Sequence, residues 1–454
     1  MKFKELNLEK ELIENLNSLG LENLTQIQEK SLEHSLKGKD LIARAKTGSG
    51  KTLSFCLPLI QNLNKNRFRV QSLILAPTRE LANQIASNLR EYIRFIPNIK
   101  VLTLCGGVPF KPQVASLNHE AHIIVGTTGR VLKHIKEGNL KLEEVNTFIL
   151  DEADKMLDMG FYDDIMDINN RLANNRQTLL FSATYEENIK NLSNTITKNA
   201  FFVEVENEEK NKISQVFYEV NRFEKNRQIE KIIKQYKAKS TIIFCNQKQT
   251  CEELADELYK NGLDVLTMHS DLEQKDRDET LTLFSNQSYP ILIASDVASR
   301  GIDIADVDLV INYDIALNEK IHTHRIGRTA RAGNGGVAIT FYEENEYERV
   351  DLVKNIFDDI KFSYIKDIKQ NNDYKIDSSY RTIFINGGKK DKLRKADILG
   401  SLTAGINLNK EDVGKIDIFN FCSYVAINKD KLNIVLEKLP NNRIKGKYYK
   451  IYEK

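Results

Sequence analysis

Short apolar runs alternate with amphipathic stretches of helical length through the first part of the chain. Within the runs Ile, Leu and Val follow one another with few polar residues in between, as in strands that are buried on both faces. The runs are Leu41–Ala43, Ser72–Leu75, Val101–Leu104, His122–Val125, Thr147–Leu150, Thr178–Phe181 and Phe201–Val203. Strands of this kind joined by helices predict an α/β domain whose parallel sheet is covered on both sides.

A charged stretch at 204–212 interrupts the pattern, which then begins again. The stretch is typical of a linker, because it has no apolar periodicity. The new runs are Gln215–Val220, Thr241–Phe244, Val265–Met268, Ile291–Ile293, Leu309–Ile311 and Val337–Thr340. They predict a second parallel α/β domain of similar size.

A different order follows a polar stretch at 370–379, which we interpret as a second linker. The remaining pattern is strand, helix, strand, strand, helix and strand. These elements are predicted at Thr382–Ile385, Asp391–Thr403, Lys415–Phe419, Ser423–Ile427, Lys429–Leu439 and Lys447–Tyr452. The βαββαβ order indicates a small α+β domain, and one RNA-recognition fold has the same order.

Length and composition agree with several soluble domains. The chain has 454 residues, 41% of them hydrophobic, and two or three domains are expected. We place domains at 1–206, 213–370 and 381–454, with linkers at 207–212 and 371–380. The sequence has no stretch long enough to span a membrane and no signal peptide, so we expect a cytoplasmic protein without a membrane partner. Without a coiled-coil segment, a monomer is expected.

The cysteines and the charges add two further points. The five cysteines are scattered without a CxxC pair, which favours reduced thiols over disulfides or a metal site. From Asn371 to Lys454 there are 17 Lys and Arg against 10 Asp and Glu, a net charge of +7, whereas the rest of the chain carries −5. The basic C-terminal part therefore suggests a polyanionic partner.

The segment Ala45–Thr52 (AKTGSGKT) directly follows the first apolar run. Its glycines let backbone N–H groups turn toward phosphate oxygens, and the N-terminus of the next helix adds positive potential. In such loops the lysine reaches the β- and γ-phosphates and the hydroxyl residue binds Mg²⁺, which are roles for Lys51 and Thr52. The candidate nucleotide-binding residues are Ala45, Thr47, Gly48, Ser49, Gly50, Lys51 and Thr52.

Acidic residues end another apolar run, at Asp151 and Glu152. Asp151 is placed to bind Mg²⁺, directly or through water, and Glu152 to orient and deprotonate the attacking water. Asp154 either takes part in this chemistry or accepts structural hydrogen bonds. The loop and the acids together predict a nucleoside-triphosphatase.

The segment His324–Arg331 (HRIGRTAR) in the second domain offers the positive charge that hydrolysis needs at the γ-phosphate. Arg328 and Arg331 are three residues apart and share one face if the segment is helical. A finger arginine is worth about 10³–10⁵ in rate. We predict that both arginines are catalytic, so that hydrolysis requires the two domains to close; the alternative is a solvated basic helix.

These motifs, in this order, resemble those of DEAD-box RNA helicases over the first two domains. Gly20–Gln28 (GLENLTQIQ) resembles the Q motif of that family, with Phe3 as its upstream aromatic residue. The resemblance implies two RecA-like domains in tandem, with ATP and Mg²⁺ as cofactors and RNA as the substrate. It also implies that Gln28 reads the adenine edge and that Phe3 stacks on the base.

Other motifs of the series resemble those that hold the RNA backbone. The implied RNA contacts are Pro77, Thr78, Arg79, Gly107, Thr127, Gly129 and Arg130 in the first domain, and Gln274, Arg277, Ser295 and Arg300 in the second. Ser182 and Thr184 match the motif that couples hydrolysis to strand separation, and Asp303 would face the ribose. Contacts to sugar and phosphate carry no sequence information and are expected to depend strongly on salt.

The chain departs from the family pattern at Leu24, Thr128, Ser270 and Ser295. Thr128 matters most, because it stands where Pro is usual. The missing Pro is expected to free a turn that holds RNA phosphates.

The C-terminal stretches 381–400, 414–425 and 444–447 resemble the RNA-binding domain of DbpA-type helicases. In that subfamily the domain, which is RRM-like, grips a hairpin of large-subunit ribosomal RNA. The resemblance implies local unwinding of RNA duplexes in pre-ribosomal particles during ribosome assembly.

Within this domain we predict an RNA site at a cluster of cations. They are Lys389, Lys390, Lys392, Arg394 and Lys395. The predicted N-terminal turn of a helix disfavours cations unless a phosphate is bound; the alternative is a solvated turn. Phe384 and Tyr424 are candidates for base stacking or for the core. Because Cys422 and Ile427 stand where further aromatic residues are usual, we favour binding by the helix end and the loops.

Two alternatives stay open. One is a general RNA-remodelling helicase whose C-terminal domain binds RNA without preference, and the other is an ATP-gated RNA clamp without turnover. Glu152, Ser182, Thr184 and the two arginines favour turnover.

Overall fold

A computed structural model describes residues 1–45, 49–205, 213–296, 307–329, 335–357, 359–369 and 371–454. The chain divides into two compact units, whose described parts lie within 1–205 and 213–454. The first unit contains a seven-stranded parallel sheet, and the second contains another together with a four-stranded antiparallel sheet. The predicted fold class is therefore confirmed. The predicted linker at 207–212 lies outside the described residues.

The sheet of the first unit has the strand order β3-β4-β2-β5-β6-β1-β7. Its strands are β1 (Leu41–Arg44), β2 (Ser72–Ala76), β3 (Val101–Leu104), β4 (Ile123–Thr127), β5 (Thr147–Leu150), β6 (Gln177–Ser182) and β7 (Phe201–Glu204). Leu41 and Ala43 pack in the core on one side of the sheet, and Ile42 packs in the core on the other. Both faces are buried, which explains the apolar runs without alternation.

Helices cover both faces of this sheet. They are α1 (Lys10–Ser18), α2 (Gln26–Ser35), α3 (Lys51–Gln61), α4 (Arg79–Tyr92), α5 (Phe110–Leu117), α6 (Thr128–Lys136), α7 (Ala153–Asp158), α8 (Tyr162–Asn169) and α9 (Glu187–Ile196). Strands β5, β6 and β1 are neighbours in the sheet, so the segments that follow them meet at one edge.

The parallel sheet of the second unit has the order β10-β11-β9-β12-β13-β8-β14. Its strands are β8 (Ile213–Glu219), β9 (Thr241–Cys245), β10 (Val265–Met268), β11 (Ile291–Ser295), β12 (Leu309–Asn312), β13 (Gly336–Tyr342) and β14 (Ile360–Ser363). Its helices are α10 (Lys225–Tyr236), α11 (Lys248–Lys260), α12 (Gln274–Ser285), α13 (Glu319–Ile326) and α14 (Tyr347–Lys354). The sequence did not reveal β14, an edge strand of four residues without a buried side chain.

The C-terminal sheet has the order β16-β17-β15-β18 and its own apolar core. Its strands are β15 (Tyr380–Ile385), β16 (Val413–Ile418), β17 (Ser423–Asn428) and β18 (Ile451–Glu453), with helices α15 (Lys395–Gly400) and α16 (Leu432–Lys438). The βαββαβ order is confirmed, although this domain belongs to the same compact unit as the second parallel sheet.

Two predicted helices are corrected. The first helix of the C-terminal domain begins at Lys395 and not at Asp391, because Lys392 has a left-handed backbone with φ 61°. The helix at His324 ends at Ile326, so Arg328 lies beyond it and not on a helical face. Within the described parts of the chain, the helices are too short or too polar to cross a bilayer.

Candidate functional site

The phosphate-loop segment leads from β1 into α3. Ala45 is buried, and its N–H donates to the carbonyl of Ser182 at the end of β6 (2.9 Å). Gly50 precedes the helix with φ 96°, a left-handed conformation that favours glycine. Thr52 lies in the first turn of α3, whereas Thr47 and Gly48 lie outside the described residues.

Lys51 begins α3 and is only 6% exposed. Its Nζ has no hydrogen-bond partner among the described residues. A buried ammonium group is costly unless an anion is near. The site therefore has one buried positive charge and one helix N-terminus at the place where a phosphate chain is expected, and it fits a nucleotide.

Residues of the Q-motif segment brace this loop. Gln28 is buried and donates from Nε2 to the carbonyl of Gly50 (3.1 Å), and Thr25 Oγ1 donates to the carbonyl of Ser49 (2.8 Å). The Gln28 Oε1 atom accepts the N–H of Thr25 (2.8 Å) and so fixes the amide. Gln28 thus holds the loop in place, and its adenine contact stays a prediction.

Phe3 does not lie as predicted. Its ring is 1% exposed and packs in the first core with Leu8 and Leu12. Core side chains cover the ring, which in this placement is not presented to a base. The physical reason is the amphipathic α1, which buries its apolar side and Phe3 together.

Asp151 and Glu152 follow β5 and are both buried. Burial raises the pKa of Asp151 to about 6, and the nearby Lys51 opposes this rise. Glu152 has a left-handed backbone (φ 54°) and its Oε2 accepts from Lys155 Nζ at 2.7 Å. The buried Asp151 carboxylate near Lys51 gives an oxygen ligand and a charge that suit a divalent cation.

Asp154 connects this site to the Ser182–Thr184 segment. Its Oδ2 atom accepts the N–H groups of Ala183 (3.0 Å) and Thr184 (3.1 Å) and the Thr184 hydroxyl (3.4 Å). Of the two roles considered for Asp154, the structure supports the acceptor of structural hydrogen bonds. Asp154 thereby joins the segment after β5 to the segment after β6.

The first-unit residues predicted to bind RNA lie on neighbouring segments. Thr78 caps α4 by accepting the N–H of Leu81 (3.3 Å). The guanidinium of Arg79 lies against Gly107, whose φ is 64°, and a Cβ atom there would stand 1.8 Å from Arg79 Nη2. Pro77 is buried before this cap.

The segment after β4 carries the remaining predicted contacts of this unit. Thr127 is the N-cap of α6, and Gly129 is exposed. Arg130 Nη1 donates to the carbonyl of Val108 (3.1 Å). Thr128 is the first residue of α6, is fully buried, and donates its hydroxyl to Met156 Sδ (3.6 Å). The expectation that the missing Pro frees this turn is therefore wrong, because burial and the hydroxyl hold it.

In the second unit, Gln274 and Arg277 lie in the first turns of α12, and Ser295 ends β11. Gln274 Nε2 donates to Asp278 Oδ1 at 2.8 Å. Arg328 is 8% exposed. Arg300, Asp303 and Arg331 lie outside the described residues.

Comparison with known families matches three segments of the chain. They are the DEAD/DEAH box helicase family at 25–192, the helicase conserved C-terminal domain at 224–333, and the DbpA RNA binding domain at 382–453. The ATP-dependent RNA helicase DbpA of Escherichia coli (strain K12) is 42% identical over 95% of both chains. This chain belongs to the DEAD-box ATP-dependent RNA helicases of the DbpA type. The DbpA protein of Bacillus subtilis (strain 168) is 34% identical over 99% of this chain and 98% of its own length.

A solved helicase structure shares this architecture. Saccharomyces cerevisiae Dbp5 bound to RNA and ADP BeF3 aligns with a TM-score of 0.72 and 29% identity, over 81% of this chain and 96% of that one. The helicase is thus an ATP-dependent enzyme with an additional RNA-binding domain.

Sequence reasoning missed a buried arginine of the helicase, Arg325. It is 1% exposed and donates from Nη1 to the carbonyl of Asp314 (2.7 Å) and from Nη2 to Asn246 Oδ1 (2.7 Å). It also forms an ion pair with Asp296. These partners follow β12, β9 and β11. Its position one residue before the end of the helix was the available signal.

The five cations predicted in the C-terminal domain are all exposed. Lys389 and Lys390 lie in a 3-10 turn, Lys392 follows it, Arg394 is the N-cap of α15, and Lys395 begins that helix. Only Lys395 therefore lies in the first turn of a helix, and the helix-dipole argument does not apply to the other four.

The turn with these cations contacts two other loops of the domain. The N–H groups of Lys389 and Lys390 donate to the carbonyls of Phe419 (2.8 Å) and Asn420 (2.9 Å). Lys445 Nζ donates to the carbonyl of Lys392 at 2.5 Å. We call Lys389, Lys390, Lys392, Phe421 and Lys445 the loop surface. Its aromatic member Phe421 is 70% exposed.

Proposed function

We propose that the enzyme unwinds short RNA duplexes by RNA-stimulated ATP hydrolysis, and that its C-terminal domain targets it to large-subunit ribosomal RNA during ribosome assembly. The observation that carries the proposal is the match of 382–453 to the DbpA RNA binding domain, in a chain that aligns with DbpA proteins from end to end. A pre-ribosomal particle is the proposed partner, and the cytoplasm the proposed location.

In the proposed ATP site, Lys51 binds the β- and γ-phosphates and the Gly50 segment supplies backbone N–H groups. The unpartnered Lys51 Nζ supports this role. Thr52 and Asp151 would hold Mg²⁺, which supplies positive charge to the phosphates. Glu152 orients the attacking water, and the hydrogen bond from Lys155 Nζ holds its carboxylate in the buried site.

The second unit contributes the proposed arginine finger. Arg328 stands three residues after the buried Arg325, whose guanidinium fixes the end of the preceding helix to the segments that follow three strands. An arginine on such a fixed support loses little freedom when it meets a phosphate. Arg331 is proposed for the same role from its sequence position.

RNA binding by the core is proposed to read the sugar–phosphate backbone. Arg79, Arg130 and the Gly107 segment offer cations and glycine amides rather than groups matched to base edges. The core alone therefore has little sequence preference, and the specificity comes from the C-terminal domain. For that domain we propose the loop surface as the RNA site, with cations for phosphates and Phe421 for an unpaired base.

The test is steady-state ATPase activity of the full chain with a large-subunit rRNA fragment and with an unrelated RNA of equal length, at fixed salt. The same RNAs are given to a chain that ends near Asn371 and to a full-length variant with Lys389, Lys390 and Lys392 changed to Gln. The full-length variant is needed because truncation uncovers side chains of the second unit.

We expect the rRNA fragment to stimulate the parent at a concentration at least tenfold lower than the unrelated RNA does. Both altered chains should keep turnover and lose that difference. If all RNAs stimulate all chains alike, the general helicase with a non-specific tail is correct. If no RNA stimulates turnover, the ATP-gated clamp is correct.

A further inference from the structure

The C-terminal sheet is covered on both of its faces. Val425 and Ile427 of β17 belong to the core of the C-terminal domain. Tyr424 and Ala426 alternate with them along the strand and point to the other face, yet Tyr424 is 4% exposed and Ala426 is 1% exposed. Thr382, on the neighbouring β15, is fully buried. Something outside the domain therefore covers this second face.

The cover is the end of α12 in the second parallel domain. Ser288 Oγ and Thr382 Oγ1 share a hydrogen bond of 2.7 Å, and Asn286 Nδ2 donates to Thr382 Oγ1 at 3.3 Å. At the edge of this contact, Lys415 Nζ donates to Ser285 Oγ (2.8 Å). Ser288 and Asn286 are themselves buried, so both sides of the contact are removed from water.

Glu279, in the middle of α12, is the charged centre of the same contact. Its Oε1 lies 2.7 Å from Lys454 Nζ, and its Oε2 accepts from the Tyr424 hydroxyl at 3.1 Å. A second ion pair, between Arg381 Nη2 and Asp264 Oδ2 (2.7 Å), stands at the rim. Glu279, Lys454 and Tyr424 would lose these contacts to one another if the sheet moved away.

The segment before the sheet is also fixed. The Tyr374 hydroxyl donates to the carbonyl of Ala238 (2.9 Å), and Ile376 packs against the core of the second parallel domain. The predicted linker at 371–380 therefore lies on the domain surface and does not act as a free tether.

We propose that the sheet stays seated on α12 while the C-terminal domain holds RNA, and that Glu279 is the positioning residue that keeps it there. We call this contact the α12 seat. The aromatic residues of the seated face, Tyr424 and Phe384, are then structural and not base-stacking residues. Because Gln274 and Arg277 lie at the other end of α12, RNA held by the C-terminal domain has a fixed position relative to these two predicted RNA contacts of the second unit. The inference rests on the proposed targeting function and adds how RNA bound by the C-terminal domain is positioned next to α12.

The test is a disulfide across the seat in the full-length chain. The Ser288 and Thr382 hydroxyl oxygens are 2.7 Å apart, so Ser288→Cys with Thr382→Cys brings two sulfurs within bonding reach. Cys422→Ser is included because Cys422 is the half-buried thiol of this chain. The half-stimulating concentration of the rRNA fragment and of unrelated RNA is measured for the oxidised and the reduced protein.

The oxidised protein should respond to each RNA within twofold of the reduced protein. A loss of tenfold or more on oxidation, restored by reductant, would overturn the α12 seat as the working state and make the sheet an RNA-binding surface. If the reduced protein responds alike to both RNAs, the targeting proposal fails instead. The comparison of oxidised and reduced protein still decides whether the seat persists with either RNA.

A charge reversal tests Glu279 as a positioning residue. Glu279→Arg places a cation beside Lys454, and Glu253→Arg on the exposed side of α11 is the matched control. Glu279→Arg should raise the half-stimulating concentration of the rRNA fragment about tenfold, with unchanged turnover at saturating RNA and unchanged affinity for the isolated rRNA hairpin. Glu253→Arg should match the parent. Unchanged stimulation in Glu279→Arg would contradict the proposal.

Discussion

Arg325 and Asp296 form a two-point ion pair inside the second unit, with Nε to Oδ1 and Nη2 to Oδ2 both at 2.6 Å. Asp296 follows Ser295 at the end of β11, and Arg325 lies near the end of α13. The pair therefore holds together the two segments from which RNA-contact and finger residues are predicted. Among the three arginines of the HRIGRTAR segment, the first is structural.

Replacing this arginine should be costly. Arg325→Met removes the two-point contact to the largely buried Asp296 carboxylate, and we expect a loss of about 3–5 kcal/mol in the free energy of unfolding. Arg325→Lys should recover little, because an ammonium group cannot make the two-point contact. Urea unfolding measures both.

The control is Arg349→Met, which removes the partly exposed pair with Glu346. A pair of this kind contributes at most about 1 kcal/mol. Equal losses for Arg325→Met and Arg349→Met would show that the buried pair has no special role.

Lys51→Met should abolish ATP turnover with little effect on the free energy of unfolding. The Lys51 Nζ has no hydrogen-bond acceptor among the residues that the structure describes, and methionine removes its buried charge together with its attraction to the nearby Asp151. The relieved cost of burying an ammonium group and the lost attraction oppose each other, so we expect the free energy of unfolding to change by no more than about 1 kcal/mol, together with loss of ATP turnover. Thermal unfolding without nucleotide and ATPase activity with RNA are the two measurements. A large loss of stability would mean that Lys51 serves the fold.

The strands were predictable because parallel strands buried on both faces leave a strong signal. The start of α15 was not predictable, because the left-handed backbone of Lys392 breaks the helix without any Gly or Pro to mark it. The burial of Phe3 was also missed, since an aromatic residue near a predicted site gives no sign of which side it faces.

Interactions between distant segments could not be predicted at all. The α12 seat includes serines, an asparagine and a threonine that have no apolar periodicity, and a Glu279–Lys454 pair between distant parts of the chain. The candidate site was predictable where one motif supplies the residues, as at Asp151 and Glu152. It was not predictable where a segment braces another, as Gln28 braces Gly50.

The Gly50 position should not tolerate a side chain. A Cβ atom there would stand 2.6 Å from Gln28 Nε2 and 2.9 Å from Thr25 Oγ1, and the backbone is left-handed. We expect Gly50→Ala to lose ATP binding and to unfold more easily, because the loop and the Q-motif segment must separate. Nucleotide affinity and urea unfolding measure the two effects.

Gly38→Ala is the matched control, since Gly38 also has a left-handed backbone (φ 74°) but no atom within 4 Å of its added Cβ. Gly38→Ala should lower the free energy of unfolding by about 1–2 kcal/mol, because of the backbone conformation alone, and leave ATP affinity unchanged. If the two variants behave alike, the close approach of Gln28 has no importance.

Thr128→Pro tests why this chain does without the usual proline. Thr128 is the first residue of α6, and Thr127 before it has φ −86° and ψ 141°, which a following proline accepts. The proline should raise the free energy of unfolding by about 0.4–1 kcal/mol, because it restricts the unfolded chain. Loss of the Thr128 hydroxyl contact to Met156 should offset this gain. We expect nearly unchanged stability in urea unfolding and unchanged affinity for single-stranded RNA. A strong loss of either would show that the Thr128 hydroxyl has a role of its own.

His322 should make the second unit sensitive to acid. It is fully buried, its Nε2 donates to Gln215 Oε1 at 2.8 Å, and burial, aided by Arg325, lowers its pKa to about 3. Between this value and the pKa of about 6.5 in the unfolded chain, only the unfolded state takes up the proton. The contribution of neutral His322 to the free energy of unfolding is therefore fully present above pH 6.5. It is lost as the pH falls toward 3, by about 1.4 kcal/mol per pH unit. His322→Gln should flatten the pH dependence of the urea midpoint between pH 7.5 and 5, whereas His119→Gln at an exposed position should follow the parent. Parallel slopes for the parent and His322→Gln would contradict the prediction, whatever the absolute stability of the variant.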